Sequence, residues 1–328
     1  MKRLAFLGAM NRDLVADIAG DIVLQRLGLA APALIETAVS DDVAASGAAI
    51  LAGMNAADYL GGSAFNAARV AGLLNAKDRM LDLAFFGIAG VIDGRAPHLA
   101  ALADWRIASE HVQQSALPPA TCLAMVEKSG RTLLTASGAN AGIADYLRDE
   151  HGTLARILAG QHIVHITSFL DPASPGLIAD LLAEARAINP GLMVSLDPGA
   201  AWIIPGGEGF ERLLRHADIL HLNAEELAHL GGAPADITPR LHSEDALIVA
   251  RTHIDVTIRQ GQSSRALPSV ALPAHVIDST GAGDTFCGAF LWHLATGADP
   301  LDAASRGFTL ARAKITQNGP ITAETLSA

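Results

Sequence analysis

The sequence predicts an α/β protein whose mainly parallel sheet carries helices on both faces, and three observations lead there. In the second half of the chain, strand-like runs at residues 162–167, 192–196, 219–222 and 246–249 alternate with helical stretches near 175–187, 207–215, 224–230 and 285–295, the order of βαβ units. Half of the 328 residues are hydrophobic but only 4% are aromatic, so the apolar content is mostly Ala, Leu, Ile and Val, which suits helices packed closely on a sheet. Polar clusters, Asn11 with Asp13, Asp197, and Asn223 with Glu226, fall just beyond strand ends, where open parallel sheets bind ligands.

The elements follow in order. Residues 3–8 form a short apolar run ending in glycine, a first strand leading into a loop. Residues 14–60 lack one clean periodicity and read as an insertion. From Ser63, expected as an N-cap, the spacing of Ala64, Ala67, Ala68, Ala71 and Leu74 predicts a helix. Residues 83–88 are strand-like, and Pro97 opens another helix. The β-like runs 122–127 and 132–135 flank the turn at 128–131 as a hairpin would. No repeat, low-complexity tract or linker divides the chain.

Composition excludes several function classes. The formal net charge is −11, which gives a nucleic acid no electrostatic footprint. Cys122 and Cys287 are the only cysteines, too few for a disulfide framework or a four-cysteine metal site, and they fit a reducing cytoplasm. The apolar start is broken by Asn11, Arg12 and Asp13 before a signal-peptide core can form, and no stretch reaches the ~20 apolar residues a membrane span requires. The expectation is a cytoplasmic protein with no membrane and no nucleic-acid partner.

The strongest chemical signal is the segment 276–286, Val-Ile-Asp-Ser-Thr-Gly-Ala-Gly-Asp-Thr-Phe, placed before a helix. Its glycines let successive N–H groups converge, and the helix start adds free N–H groups and a positive dipole end, together a receptor for an anion. Asp284, expected at the first helical position, would sit beside that receptor as a general base for an attacking alcohol. An ordinary glycine turn with a helix-start acid is the plainer reading of this segment alone. Phe286 occupies the place of the third glycine of a dinucleotide fingerprint, and no G-x-x-x-x-G-K-[ST] loop is present.

The segment 278–286 resembles the C-terminal signature of the ribokinase-like (PfkB) carbohydrate and nucleoside kinases. Further similarities occur in the family's order. Residues 8–13 look like the opening strand with its substrate aspartate, and 61–68 (Gly-Gly-Ser-Ala-Phe-Asn-Ala-Ala) like the di-glycine motif. Gly130-Arg131-Thr132 with Gly138-Ala139-Asn140 is similar to the mid-chain segment, and Asn223-Ala224-Glu225-Glu226 to the Asn-x-x-Glu motif. The resemblance spans essentially the whole chain.

It implies a doubly wound α/β domain, residues 1–13 and 61–328, with a small β-rich lid formed by 14–60 and part of 110–136. It implies transfer of the ATP γ-phosphoryl group to a hydroxyl, with Mg²⁺. Gly281, Ala282 and Gly283 would form the anion hole and Asp284 the base. Asn223 and Glu226 would organise Mg²⁺ and phosphate through water. Asp13, Asn11, Gly61, Gly62, Asn66 and Asn140 would hold the substrate. Asp278 and Thr280 stand where many members bind K⁺, with the 316–319 stretch departing from the family's pattern. The lid would close over the substrate to exclude water, and many members pair through it as a homodimer.

A second departure is the stretch 250–255 (Ala-Arg-Thr-His-Ile-Asp), which replaces a Thr-x-Gly-x-x-Gly-like nucleotide turn and offers Arg251 as a cation for phosphate. The long 14–60 segment resembles adenosine-kinase-like members, and the acidic balance disfavours a phosphorylated substrate. The expected substrate is therefore a neutral sugar, polyol or nucleoside. A non-catalytic ligand-binding (sensor) member of the fold is the alternative. A nicotinamide dehydrogenase ranks third, because no glycine fingerprint follows the first strand.

Overall fold

A computed structural model describes residues 1–30, 36–127 and 130–327. Its strands are β1 (Lys2–Leu7), β2 (Asn11–Asp17), β3 (Glu36–Ala38), β4 (Ala57–Gly61), β5 (Leu81–Ala89), β6 (Val112–Gln114), β7 (Ala120–Glu127), β8 (Gly130–Ala136), β9 (Ile163–Thr167), β10 (Met193–Asp197), β11 (Ile219–Asn223), β12 (Leu247–Arg251), β13 (Val256–Gln260) and β14 (Ser263–Ala266). Nine strands form the main sheet in the order β14-β13-β12-β11-β10-β9-β1-β5-β6. β12 through β6 run parallel, while β13 and β14 add an antiparallel edge. The sheet winds outward in both directions from β1, so the fold is the doubly wound α/β type.

Both faces are covered, which is why the central strands read as nearly continuous apolar runs. On one face the helices Ile143–Asp149, His151–Ala159, Ser174–Ile188 and Glu208–Leu214 pack Leu147, Leu158, Leu182 and Leu213 against Val164, Val194 and Leu220. On the other, Ser63–Asp78, Ala282–Ala295 and Pro300–Lys314 pack Phe65, Phe290 and Ala304 against Phe6, Phe85 and Val249. Each such fully buried Leu or Phe contributes roughly 1.5–3 kcal/mol. Close packing also explains the alanine-rich composition: a Cβ on Gly288 would lie 2.3 Å from the Ala67 carbonyl oxygen.

A second sheet has the order β3-β8-β7-β2-β4. The helices Gly20–Leu27 and Asp41–Ala52 cover one of its faces, with Val23, Leu24 and Leu51 against Leu14, Ala16, Leu123 and Met125. Strand alternation then turns Asn11, Asp13 and Val15 of β2 to the opposite, uncovered face. Residues 11–13, expected to leave the first strand of the main domain, thus belong to the second sheet. The hairpin of β7 and β8 is antiparallel from Thr121↔Ala136 to Glu127↔Gly130, while residues 128 and 129 of its expected turn lie outside the described residues.

Two local expectations change. Ser63 is the first residue of its helix; Gly62 holds the N-cap position at φ 103°, and no side chain caps that end. Arg251 ends β12 rather than lying in a loop. Among the described residues no helix is long and apolar enough to cross a membrane.

Candidate active site

The site lies between the uncovered face of the small sheet and the start of the helix Ala282–Ala295. Asp13, Val15, Tyr59, Asn66, Asp278 and Gly281 are among the residues lining this cleft. Gly281 is the N-cap at φ 75°, a left-handed conformation in which a side chain would be strained. That bend turns the chain into the helix and leaves the N–H groups of Gly281, Gly283 and Asp284 without a protein acceptor among the described residues. The Ala282 amide, expected in the anion hole, donates to the Ser279 carbonyl at 3.2 Å. Asp284 is the third helical residue, not the first.

A relay from the neighbouring helix holds the Asp284 carboxylate. Asn66 Nδ2 donates to Asp284 Oδ2 at 3.0 Å, and its own Oδ1 accepts from Arg69 Nη1 at 3.0 Å. Arg69 Nη2 donates to the Leu60 carbonyl at 2.6 Å, and the guanidinium lies over the Trp105 and Phe65 rings. Burial raises the Asp284 pKa to about 6 against the opposing Asn66 hydrogen bond, with Asp197 adding to the rise. The group is therefore mostly ionised at neutral pH yet basic enough to accept a proton. Arg69 is buried, and burial lowers its pKa to about 10 while Asp13 and Asp284 oppose the drop.

Asp13 lines the cleft close enough to Asp284 for the two carboxylates to act on each other through space. Burial, then Asp284 and Glu36, raise its pKa to about 7, with Arg69 opposing. Gly61 is next to it in space: a Cβ there would lie 1.8 Å from Asp13 Oδ2, so only glycine allows this carboxylate its position. Asn140, in the 3₁₀ turn Gly138–Gly142, donates to Asn11 Oδ1 at 3.2 Å, and its own buried Oδ1 meets no partner among the described residues.

Arg251, expected to face phosphate, braces the turn instead. Nη1 donates to the Gly283 carbonyl at 2.9 Å and to Cys287 Sγ at 3.1 Å, and Nη2 to Asp197 Oδ2 at 3.0 Å. Cys287 also donates to Asp197 at 3.3 Å, so it is a hydrogen-bonded thiol rather than simple packing. Asn223 and Glu226 form a reciprocal capping box on the helix Ala224–Leu230, with bonds of 2.9 and 2.8 Å. Burial and then Asp197 raise the Glu226 pKa to about 7. His165 and His221 flank Ser195 Oγ inside the sheet at 3.0 and 3.1 Å; burial lowers His165 to about 4 and holds His221 well below the usual imidazole range, which makes them neutral structural groups.

The expected K⁺ ligands are differently engaged. Asp278 Oδ2 accepts from Lys314 Nζ at 2.6 Å, its carbonyl oxygen accepts from the same Nζ at 2.9 Å, and its Oδ1 accepts from the Thr280 amide at 2.8 Å. A K⁺ ion on these oxygens would meet an ammonium already there, so the residues do not fit it. Among the described residues no group of three or more His, Cys, Asp or Glu could hold a metal. Within the capping box Glu226 is engaged through Oε2, and Asn223 with Glu226 would be the residues to meet the water shell of a divalent cation brought in by a ligand. Sequence reading passed over both Arg69 and Lys314. The i, i+3 spacing of Asn66 and Arg69 was the available sign for the first; nothing local marked the second.

The fold and this site define a small-molecule kinase of the ribokinase-like type. The chain belongs to the pfkB family of carbohydrate kinases, whose match covers residues 34–326. Similar solved structures include Anopheles gambiae adenosine kinase in complex with P1,P4-di(adenosine-5) tetraphosphate, 20% identical over 96% of each chain with a TM-score of 0.79. A probable sugar kinase from Rhizobium etli CFN 42 is 20% identical over 100% of this chain and 97% of its own, with a TM-score of 0.77. Adenosine kinase from Sinorhizobium meliloti is 18% identical over 99% and 98%, also at 0.77. No curated protein matches the chain significantly.

Proposed function

We propose that this kinase transfers the ATP γ-phosphoryl group to a hydroxyl of a neutral sugar or nucleoside, with Asp284 as general base. One observation carries the reading: the Asp284 carboxylate, held by Asn66 of the cleft lining, sits beside free amides at a helix start and close enough to Asp13 for the two charges to act on each other. Mg²⁺·ATP supplies the transferable group and neutralises part of its charge when bound. The amides of Gly281, Gly283 and Asp284 stabilise the migrating negative charge, and they need no reorganisation because the turn is already shaped. Asp13, with Asn11 and Asn140, orients the acceptor hydroxyls. Asn66 and Arg69 fix the Asp284 carboxylate so that its free oxygen faces the attacking hydroxyl, whose proton it takes. Arg251 positions the turn through the Gly283 carbonyl.

Substrate-bound closure of the small sheet would exclude water from the reacting atoms, and pairing of two chains through that sheet belongs to the same proposal. Small-angle scattering tests closure: the radius of gyration falls on adding ATP and acceptor, and an unchanged profile refutes it. The direct test of function is Mg²⁺-dependent ADP release against a panel of nucleosides and neutral sugars. At least one acceptor raises the rate far above hydrolysis; a flat panel sinks the reading and favours a ligand-binding protein.

A further inference from the structure

Lys314 is the last residue of the helix Pro300–Lys314 and is 1% exposed, one of the largest fully buried side chains. A buried ammonium is costly unless paired and hydrogen-bonded. Its charge is matched here by Asp278, itself 6% exposed, through Oδ2 at 2.6 Å and the backbone carbonyl at 2.9 Å. Two further contacts fasten the same segment to the helix end: the Ile277 and Asp278 amides both donate to the Ile315 carbonyl, at 2.7 and 3.4 Å.

Asp278 is the residue from which the glycine turn departs. With Oδ2 and the carbonyl held by the ammonium, Oδ1 is aimed at the Thr280 amide at 2.8 Å, and the chain is delivered into Gly281 at φ 75°. The carbonyl of Asp278 would otherwise be a buried acceptor facing a buried carboxylate, a repulsive arrangement that a single positive charge resolves. A free monovalent cation could do that, but the lysine already does so from within the chain.

We propose that the Lys314 ammonium is a built-in monovalent cation that sets the shape of the anion-binding turn and makes this protein's activity independent of K⁺. Lys314 is a positioning residue, acting on the reacting phosphoryl only through Asp278 and the turn. The proposal rests on the kinase reading of the site, and its tests separate the two.

The wild-type protein is assayed for Mg²⁺-dependent ADP release with a mixture of adenosine, inosine, cytidine, ribose and fructose, in KCl and in tetramethylammonium chloride at equal ionic strength. Rates agree within twofold. Activation of several-fold by K⁺ overturns the proposal, whereas absence of turnover in both salts refutes the kinase reading and leaves the second measurement to decide.

That measurement is ligand-free thermal melting of wild type and Lys314→Ala in the two salts. K⁺ raises the midpoint of the variant by about 2 °C or more through occupancy of the vacated position, and leaves the wild type unmoved. The turnover of Lys314→Ala falls at least tenfold in tetramethylammonium and recovers with K⁺ or methylammonium. Lys314→Met, which fills the space without charge, shows neither shift nor recovery. A folded Lys314→Ala that responds identically to both salts, in melting and in turnover, overturns the proposal. Should the variant fail to fold, the wild-type salt comparison decides alone.

Discussion

Removing the Asn66 side chain should move the pH at which the enzyme switches on. In the free protein the Asn66 amide is the largest influence holding the Asp284 pKa down, at a distance of 3.0 Å, while burial pushes it up to about 6. Hydrogen bonds to a charged acceptor contribute about 1.5–3 kcal/mol, and about 1.4 kcal/mol corresponds to one pKa unit. Asp284 is partly exposed, so roughly half of that survives solvent screening. Asn66→Ala should therefore raise the Asp284 pKa by roughly one unit, from about 6 toward about 7. A base works deprotonated, so the acid limb of kcat/KM, which reports the free enzyme, should shift to higher pH by that amount. The assay is coupled ADP release between pH 5 and 9 at subsaturating acceptor. The overall rate also falls because the Asp284 carboxylate loses the group that orients it, but only the position of the limb tests the argument. A limb that stays near pH 6 while the rate drops uniformly would refute Asp284 as the titrating base.

Asp284→Asn keeps the shape and removes the base; kcat should drop by about 10²–10⁴-fold with a smaller change in KM for ATP, and retention of wild-type turnover would end the mechanism. Gly61→Ala places a Cβ 1.8 Å from Asp13 Oδ2; overpacking of this kind costs roughly 1–3 kcal/mol, and the acceptor KM should rise at least tenfold, both readable by melting and kinetics. Asp13→Asn should stabilise the ligand-free protein at pH 8. The folded pKa of Asp13 is raised to about 7, so the folded state binds its proton more tightly than the unfolded chain does. The resulting stability is present below about pH 4 and lost as pH rises through about 7. Allowing for screening, the variant should gain about 1–2 kcal/mol at pH 8 and nothing at pH 4. Equal melting points at both pH values would contradict the buried, like-charged setting.

How much was legible beforehand follows from the range of the forces involved. Periodicity and flanking glycines are local, and the four strands β9 to β12 are legible within a residue or two of their ends. The helices at 143–159 and 300–314 were missed because their apolar stripes acquire meaning only against the sheet they cover, and the antiparallel pair β13 and β14 because an exposed edge strand such as β14 carries no apolar alternation. The second sheet was read as an insertion with a hairpin. Its parallel pairing of β2 with β7, across more than a hundred residues, has no signature in either segment.

By itself the sequence determined the α/β class, the glycine turn with its carboxylate, and the polar residues at strand ends, since each depends on neighbours a few positions away. Only the tertiary structure decided which groups share a field. It placed Asp13 on the small sheet within the field of Asp284, set Arg69 behind Asn66, turned Arg251 under the glycine turn, and laid the Lys314 ammonium on Asp278. Charge interactions act through space and strengthen with burial, so the chemistry of these side chains became readable once distance and burial were known.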